Sequence, residues 1–85
     1  MQHFSKLYEK NMVLIQVPSN KNERLKVFVD EITDTEYDIN FKVEVKNIDE
    51  FKYLTKNIIQ FYIKSYFETC LKMFSLDRDV KVIFI

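Results

Sequence analysis

The chain has 85 residues, 13 basic and 13 acidic side chains, one cysteine and no glycine. A chain of that length forms a single domain, 1–85, that buries only about 60–65% of its unfolded surface, so its core is small and oligomerisation is one way to support it. Without glycine there is no P-loop or dinucleotide-binding fingerprint, because those backbones approach phosphate where a Cβ would block them; with one cysteine there is no internal disulfide, which fits a reducing compartment.

The first residues, "HFSKLYEK", place Phe4, Leu7 and Tyr8 at helical spacing, which predicts a short helical turn over 3–10. "MVLIQV", Met12 to Val17, is a continuous apolar run of the kind found in a central strand. Pro18 to Glu23 supplies turn residues. Arg24 to Glu31 alternates, with Leu25, Val27 and Val29 on one face, and Thr33 to Thr35 makes the next turn. Glu36 to Lys46 alternates without error: Tyr37, Ile39, Phe41, Val43 and Val45 face one way and charged or polar residues the other. Such a strand has one buried and one wet face, as in an antiparallel meander. Asn47 followed by Glu50 reads as a capping box that starts a helix from Ile48 to Ser75. Val80 to Ile85 closes the chain as a strand, joined parallel to the third because the helix is a crossover. The expected fold is α+β: a small antiparallel or mixed four-stranded sheet packed on one long helix, in the order (α)βββαβ.

On a helical wheel the apolar arc of that helix is about 220° wide, against the ~100° of an ordinary surface helix. Ile48, Ile59, Tyr66, Cys70 and Met73, with Tyr62 and Ile63 beside them, form the stripe assigned to the sheet. Phe67, Leu71 and Phe74 lie to one side, and Phe61 lies near the polar back with Lys64. Leaving the three flank residues wet forgoes roughly 1.5–3 kcal/mol each. The N-terminal segment, a second copy of the chain or another protein can cover them, and the second copy is the favoured cover. Phe61, Phe67, Leu71 and Phe74 are therefore the expected self-interface.

The charge is unevenly spread, with an acidic middle between two basic ends. Asp30, Glu31, Asp34, Glu36 and Asp38 are candidates for a patch that recognises a basic protein partner. They lack the glycine of a calcium loop, so no metal and no cofactor is expected. His3 stands alone and supports neither zinc nor a catalytic triad. Cys70 is late in the helix, where the dipole does not favour a thiolate, so it reads as a buried structural thiol. Lys52, Lys56, Lys64 and Lys72 form a solvated helix face. The last strand, guarded by Lys81, offers an edge for adding a partner's strand.

The N-terminus lacks an apolar signal-peptide core, and Lys64, Glu68 and Lys72 break the longest apolar-rich stretch, so no membrane association and a cytoplasmic location are expected. Ile, Phe, Tyr, Asn and Lys make up nearly half of the chain, the signature of an AT-rich genome. No catalytic motif is present, so the expected function is that of a non-enzymatic protein-binding module. A homodimer is the expected form, and a phage- or virus-encoded inhibitor of a host protein the specific version. The alternative is a nucleic-acid-binding or regulatory protein that uses the outer helix lysines. The net charge of zero makes that alternative the weaker one.

Overall fold

The computed structural model describes residues 6–18 and 20–85, so His3 and Phe4 lie outside the described residues. Residues 6–8 are helical. Four strands follow: β1 (Asn11–Val17), β2 (Asn20–Asp34), β3 (Asp38–Val45) and, after the helical segments, β4 (Asp79–Phe84). They form one sheet in the order β1-β2-β3-β4, antiparallel except for the parallel β3–β4 pair. The run Met12–Val17 therefore forms an edge strand, not a central one. Only Val13, Ile15 and Val17 of that run are buried; Met12 and Leu14 point to the open face of the sheet.

Alternation places Leu25, Val27 and Val29 of β2 and Ile39, Phe41, Val43 and Val45 of β3 in one core layer. Tyr37 precedes β3 in the turn and is exposed, so the inward series begins at Ile39. On β2 the alternation changes phase. Val29 pairs with Val43 but Glu31 with Lys42, which leaves Asp30 as a bulge residue. The extra residue turns Ile32 rather than Glu31 into the core.

The expected continuous helix from Ile48 is broken. Ile48–Phe51 is a 3-10 turn, and the α-helix proper, α1, spans Lys56–Met73. Asn47 does not cap it. Its Oδ1 accepts from the Lys26 N–H (2.8 Å) and its Nδ2 donates to the Arg24 carbonyl (3.0 Å), which ties the turn to β2 instead. Thr55 is the N-cap, its hydroxyl oxygen accepting the Ile58 N–H at 3.2 Å. At the other end the Leu76 N–H donates to the Leu71 carbonyl (2.9 Å) and the Ser75 N–H to the Lys72 carbonyl (3.0 Å). This is the Schellman pattern, and Ser75 takes the left-handed position (φ 57°) that glycine usually fills.

The break explains where the wheel was misphased. Ile48 does not belong to α1, and without it the buried stripe rotates to Ile59, Ile63, Phe67, Cys70 and Leu71. Met73, assigned to the sheet, is 80% exposed. Phe67 is fully buried, stacked on Phe41 of β3 with centroids 4.0 Å apart. Tyr8 from the N-terminal segment meets Phe67 edge-on at 5.6 Å, and its hydroxyl donates to the Cys70 Sγ at 3.4 Å. Two of the three flank residues assigned to a second copy, Phe67 and Leu71, are thus buried within the chain itself, while Phe74 stays 43% exposed.

Candidate protein-binding surfaces

Of the four expected self-interface residues, Phe67 and Leu71 are 0% and 2% exposed and cannot meet a second chain without unpacking the core. Phe74, at the C-cap of α1, is partly exposed, and Phe61 is 63% exposed.

The acidic candidates are drawn into the fold's own ion pairs. Asp30 meets the Lys10 Nζ at 3.2 Å, Asp34 pairs with Arg78, and Asp38 meets the Lys81 Nζ at 3.2 Å. A hydrogen bond from the Thr35 hydroxyl, followed by one from Lys81, holds the Asp38 carboxyl below the ordinary aspartate range. Glu31 and Glu36 remain exposed. The patch keeps its location, but three of its five charges have basic partners within the chain.

Cys70 is buried and accepts a hydrogen bond, as a structural thiol does. Burial, reinforced by the bond to Cys70, pushes the Tyr8 phenol up, and burial beside Cys70 raises Tyr66 in the same way. Lys52, Lys56, Lys64 and Lys72 are exposed. Among the described residues no group of three or more His, Cys, Asp or Glu side chains is placed to hold a metal ion, and no helix is long and apolar enough to cross a membrane.

Helix α1 leaves both edges of the sheet uncovered, with a groove along each. The β1 groove, about 440 Å³, is lined by Leu14, Gln16, Arg24 and, from the helix, Tyr62, Ser65, Tyr66 and Thr69. The β4 groove, about 490 Å³, is lined by Val80 to Ile83 and by Asn57, Gln60, Phe61 and Lys64. A third cleft, also about 490 Å³, lies where β3 and β4 end, between Phe51, Leu54, Ile59 and Phe84, with Lys52 and Lys56 at its margin.

The two edges differ chemically. None of the seven residues of β1 is charged. On the open face, Met12 lies opposite Phe28 and Leu14 opposite Lys26, and Leu14 is 55% exposed. Lys46 sits over the Phe28 ring at 5.4 Å. On β4, the Asp79 N–H donates to the Tyr37 carbonyl and the Ile85 N–H to the Val43 carbonyl, so odd-numbered residues bond toward β3. Backbone direction alternates along a strand, so Val80, Val82 and Phe84 turn their N–H and C=O groups outward. One of those groups is occupied: the Gln60 Nε2 donates to the Val82 carbonyl at 2.6 Å.

Sequence reading overlooked Met12, Leu14, Phe28 and Gln60. Strict alternation applied to β1 would have put Met12 and Leu14 on the wet face. Gln60 carried no signal, because its partner lies 22 residues away. Comparison with protein-family models, curated proteins and solved structures found no match for this chain.

Proposed function

We propose that this chain is a non-enzymatic protein-binding module that works as a homodimer through its β1 edge. One observation carries the reading: β1 is an uncharged edge strand with Met12 and Leu14 exposed beside it. Monomeric proteins commonly protect such an edge with lysine, proline or inward charge, since its free backbone groups recruit other strands. Two copies of β1 can pair antiparallel without bringing like charges together. Exposed Leu14 side chains would then gain an apolar neighbour. The AT-biased composition makes a phage- or virus-encoded inhibitor of a host protein the specific version of this reading.

Size exclusion with light scattering tests the dimer. The expected mass is twice the 10.4 kDa chain, falling to one chain in Leu14→Lys. A native chain that stays monomeric up to millimolar concentration removes the homodimer. The alternative, nucleic-acid binding, draws on the exposed Lys52, Lys56, Lys64 and Lys72. It requires affinity that drops steeply with salt, and the absence of DNA and RNA binding at low salt removes it.

A further inference from the structure

We propose that the β4 groove binds an extended peptide segment that adds as a fifth strand beside β4, with two adjacent acidic residues over Lys64 and Lys81 and two adjacent apolar residues over Phe61 and Ile83. The proposal rests on the protein-binding reading and gives that reading a second site with a defined partner chemistry.

The backbone supplies the first part. Val80, Val82 and Phe84 point their N–H and C=O groups away from β3, which is the arrangement that accepts an added strand. Gln60 is the only side chain seen bonding to that row among the described residues, at the Val82 carbonyl. It offers one side-chain bond where an added strand offers several main-chain ones, so the strand displaces it.

The side chains supply the second part. Helix α1 runs antiparallel to β4: Lys56 lies over the Phe84 ring at 5.3 Å, and four residues later Gln60 reaches Val82. One further turn brings Lys64 level with Val80, next to Lys81. Both cations of the groove thus stand at the start of β4, one on the helix side and one on the open face. Phe61 and the 49% exposed Ile83 stand farther along, again one on each side. Neighbouring residues of an added strand point to opposite faces, so a pair of adjacent acidic residues reaches both lysines and a pair of adjacent apolar residues reaches Phe61 and Ile83.

Charge also selects the occupant. The charged residues lining the groove are Lys64 and Lys81, with no carboxylate among them. Parallel pairing with the β4 strand of a second copy would set Lys81 and Lys64 against their own counterparts, and antiparallel pairing centred on Val82 would set them against the apolar end with Ile83, so neither gives these lysines a carboxylate. An acidic segment of another protein meets the exposed Lys64 directly and competes with Asp38, 3.2 Å away, for Lys81.

The test is an NMR titration of the ¹⁵N-labelled full chain with two peptides, Ser-Ser-Glu-Glu-Val-Val-Ser-Ser and Ser-Ser-Val-Val-Glu-Glu-Ser-Ser. These cover parallel and antiparallel addition. One of them is expected to shift the Val80, Val82 and Phe84 amides and to release the Gln60 side-chain amide. Gln60→Ala should tighten binding several-fold. Lys64→Glu should weaken it by about tenfold and transfer the preference to peptides with lysine in place of glutamate. Absence of shifts at millimolar peptide, equal binding of the lysine peptides, or shifts confined to β1 would overturn the proposal. None of these results bears on dimer mass, so failure of the β4 site and failure of the β1 dimer are read separately.

Discussion

The two edges of this sheet flank the same helix and carry grooves of similar size, yet they are built oppositely. Strand β1 itself carries no charge, and its groove holds one cation, Arg24 of β2, with hydroxyl-bearing side chains on the helix wall. The β4 edge carries lysines on both walls and a glutamine bonded to its outward backbone. Backbone alone would make both edges equally open to any strand. On the proposed reading side chains decide between partners: a strand without charge suits its own copy, and an edge with lysines on both walls suits an acidic segment.

The strongest way to break this contrast is to remove the wall the grooves share. Phe67→Ala deletes the ring stacked on Phe41 and should cost about 3–5 kcal/mol in urea denaturation. That is a large share of the about 4–13 kcal/mol typical of a chain this size. Loss of both edge activities together is the expected result; loss of only one would show that the grooves do not depend on a common helix position.

A pair of single substitutions separates the edges. Leu14→Lys should weaken the dimer by about 2 kcal/mol, roughly thirtyfold, in sedimentation equilibrium. Ile83→Lys, at a similarly exposed apolar position on the other edge, should leave the dimer unchanged. Equal effects would erase the distinction between β1 and β4.

A smaller effect sharpens the β4 side alone. Ser75 holds a left-handed conformation in the turn that leads from α1 toward β4. Ser75→Gly should add about 1 kcal/mol, raising the melting temperature by about 4–8 °C without altering the dimer.

The smallest expected effect is a pH dependence. The Asp38 carboxyl is held below its ordinary value by Thr35 first and then by Lys81 of β4. A carboxyl with a lowered folded pKa contributes stability that is present above the unfolded value, near pH 4, and is lost as pH falls through the folded value. Thr35→Val should move the Asp38 titration, followed by carboxyl ¹³C NMR, back toward that ordinary value. An unchanged titration would show that Thr35 does not set it.

The sheet was largely legible because a one-sided strand records its buried face at every second residue. Ile39, Phe41, Val43 and Val45 needed only that rule, and the crossover helix dictated the parallel fourth strand. Three features escaped it. The Asp30 bulge resets the alternation, and no local residue type announces it. Asn47 has the chemistry of a cap but spends it on Arg24 and Lys26 across the sheet. Thr55 starts the helix eight residues later than expected, which rotated the stripe and sent Phe67 and Leu71 to a self-interface instead of the core. The acidic cluster was visible as composition, but Lys10, Arg78 and Lys81, which answer three of its charges, are brought to it only by the fold.

The Asp30 bulge also sets how this strand can vary. Side-chain identity at that position is loosely held, since Asp30 faces Lys10 near the surface. Length is held loosely there as well. Deleting Asp30 would set Glu31 directly after Val29, opposite Lys42 and Val43 as they already lie, so Ile32 stays in the core and only the bulge is lost. Substitutions and a single-residue deletion should therefore both be tolerated at residue 30, whereas a deletion within the regular ladder, at Phe41 for example, has no spare residue to absorb it and turns the side chains beyond it to the other face.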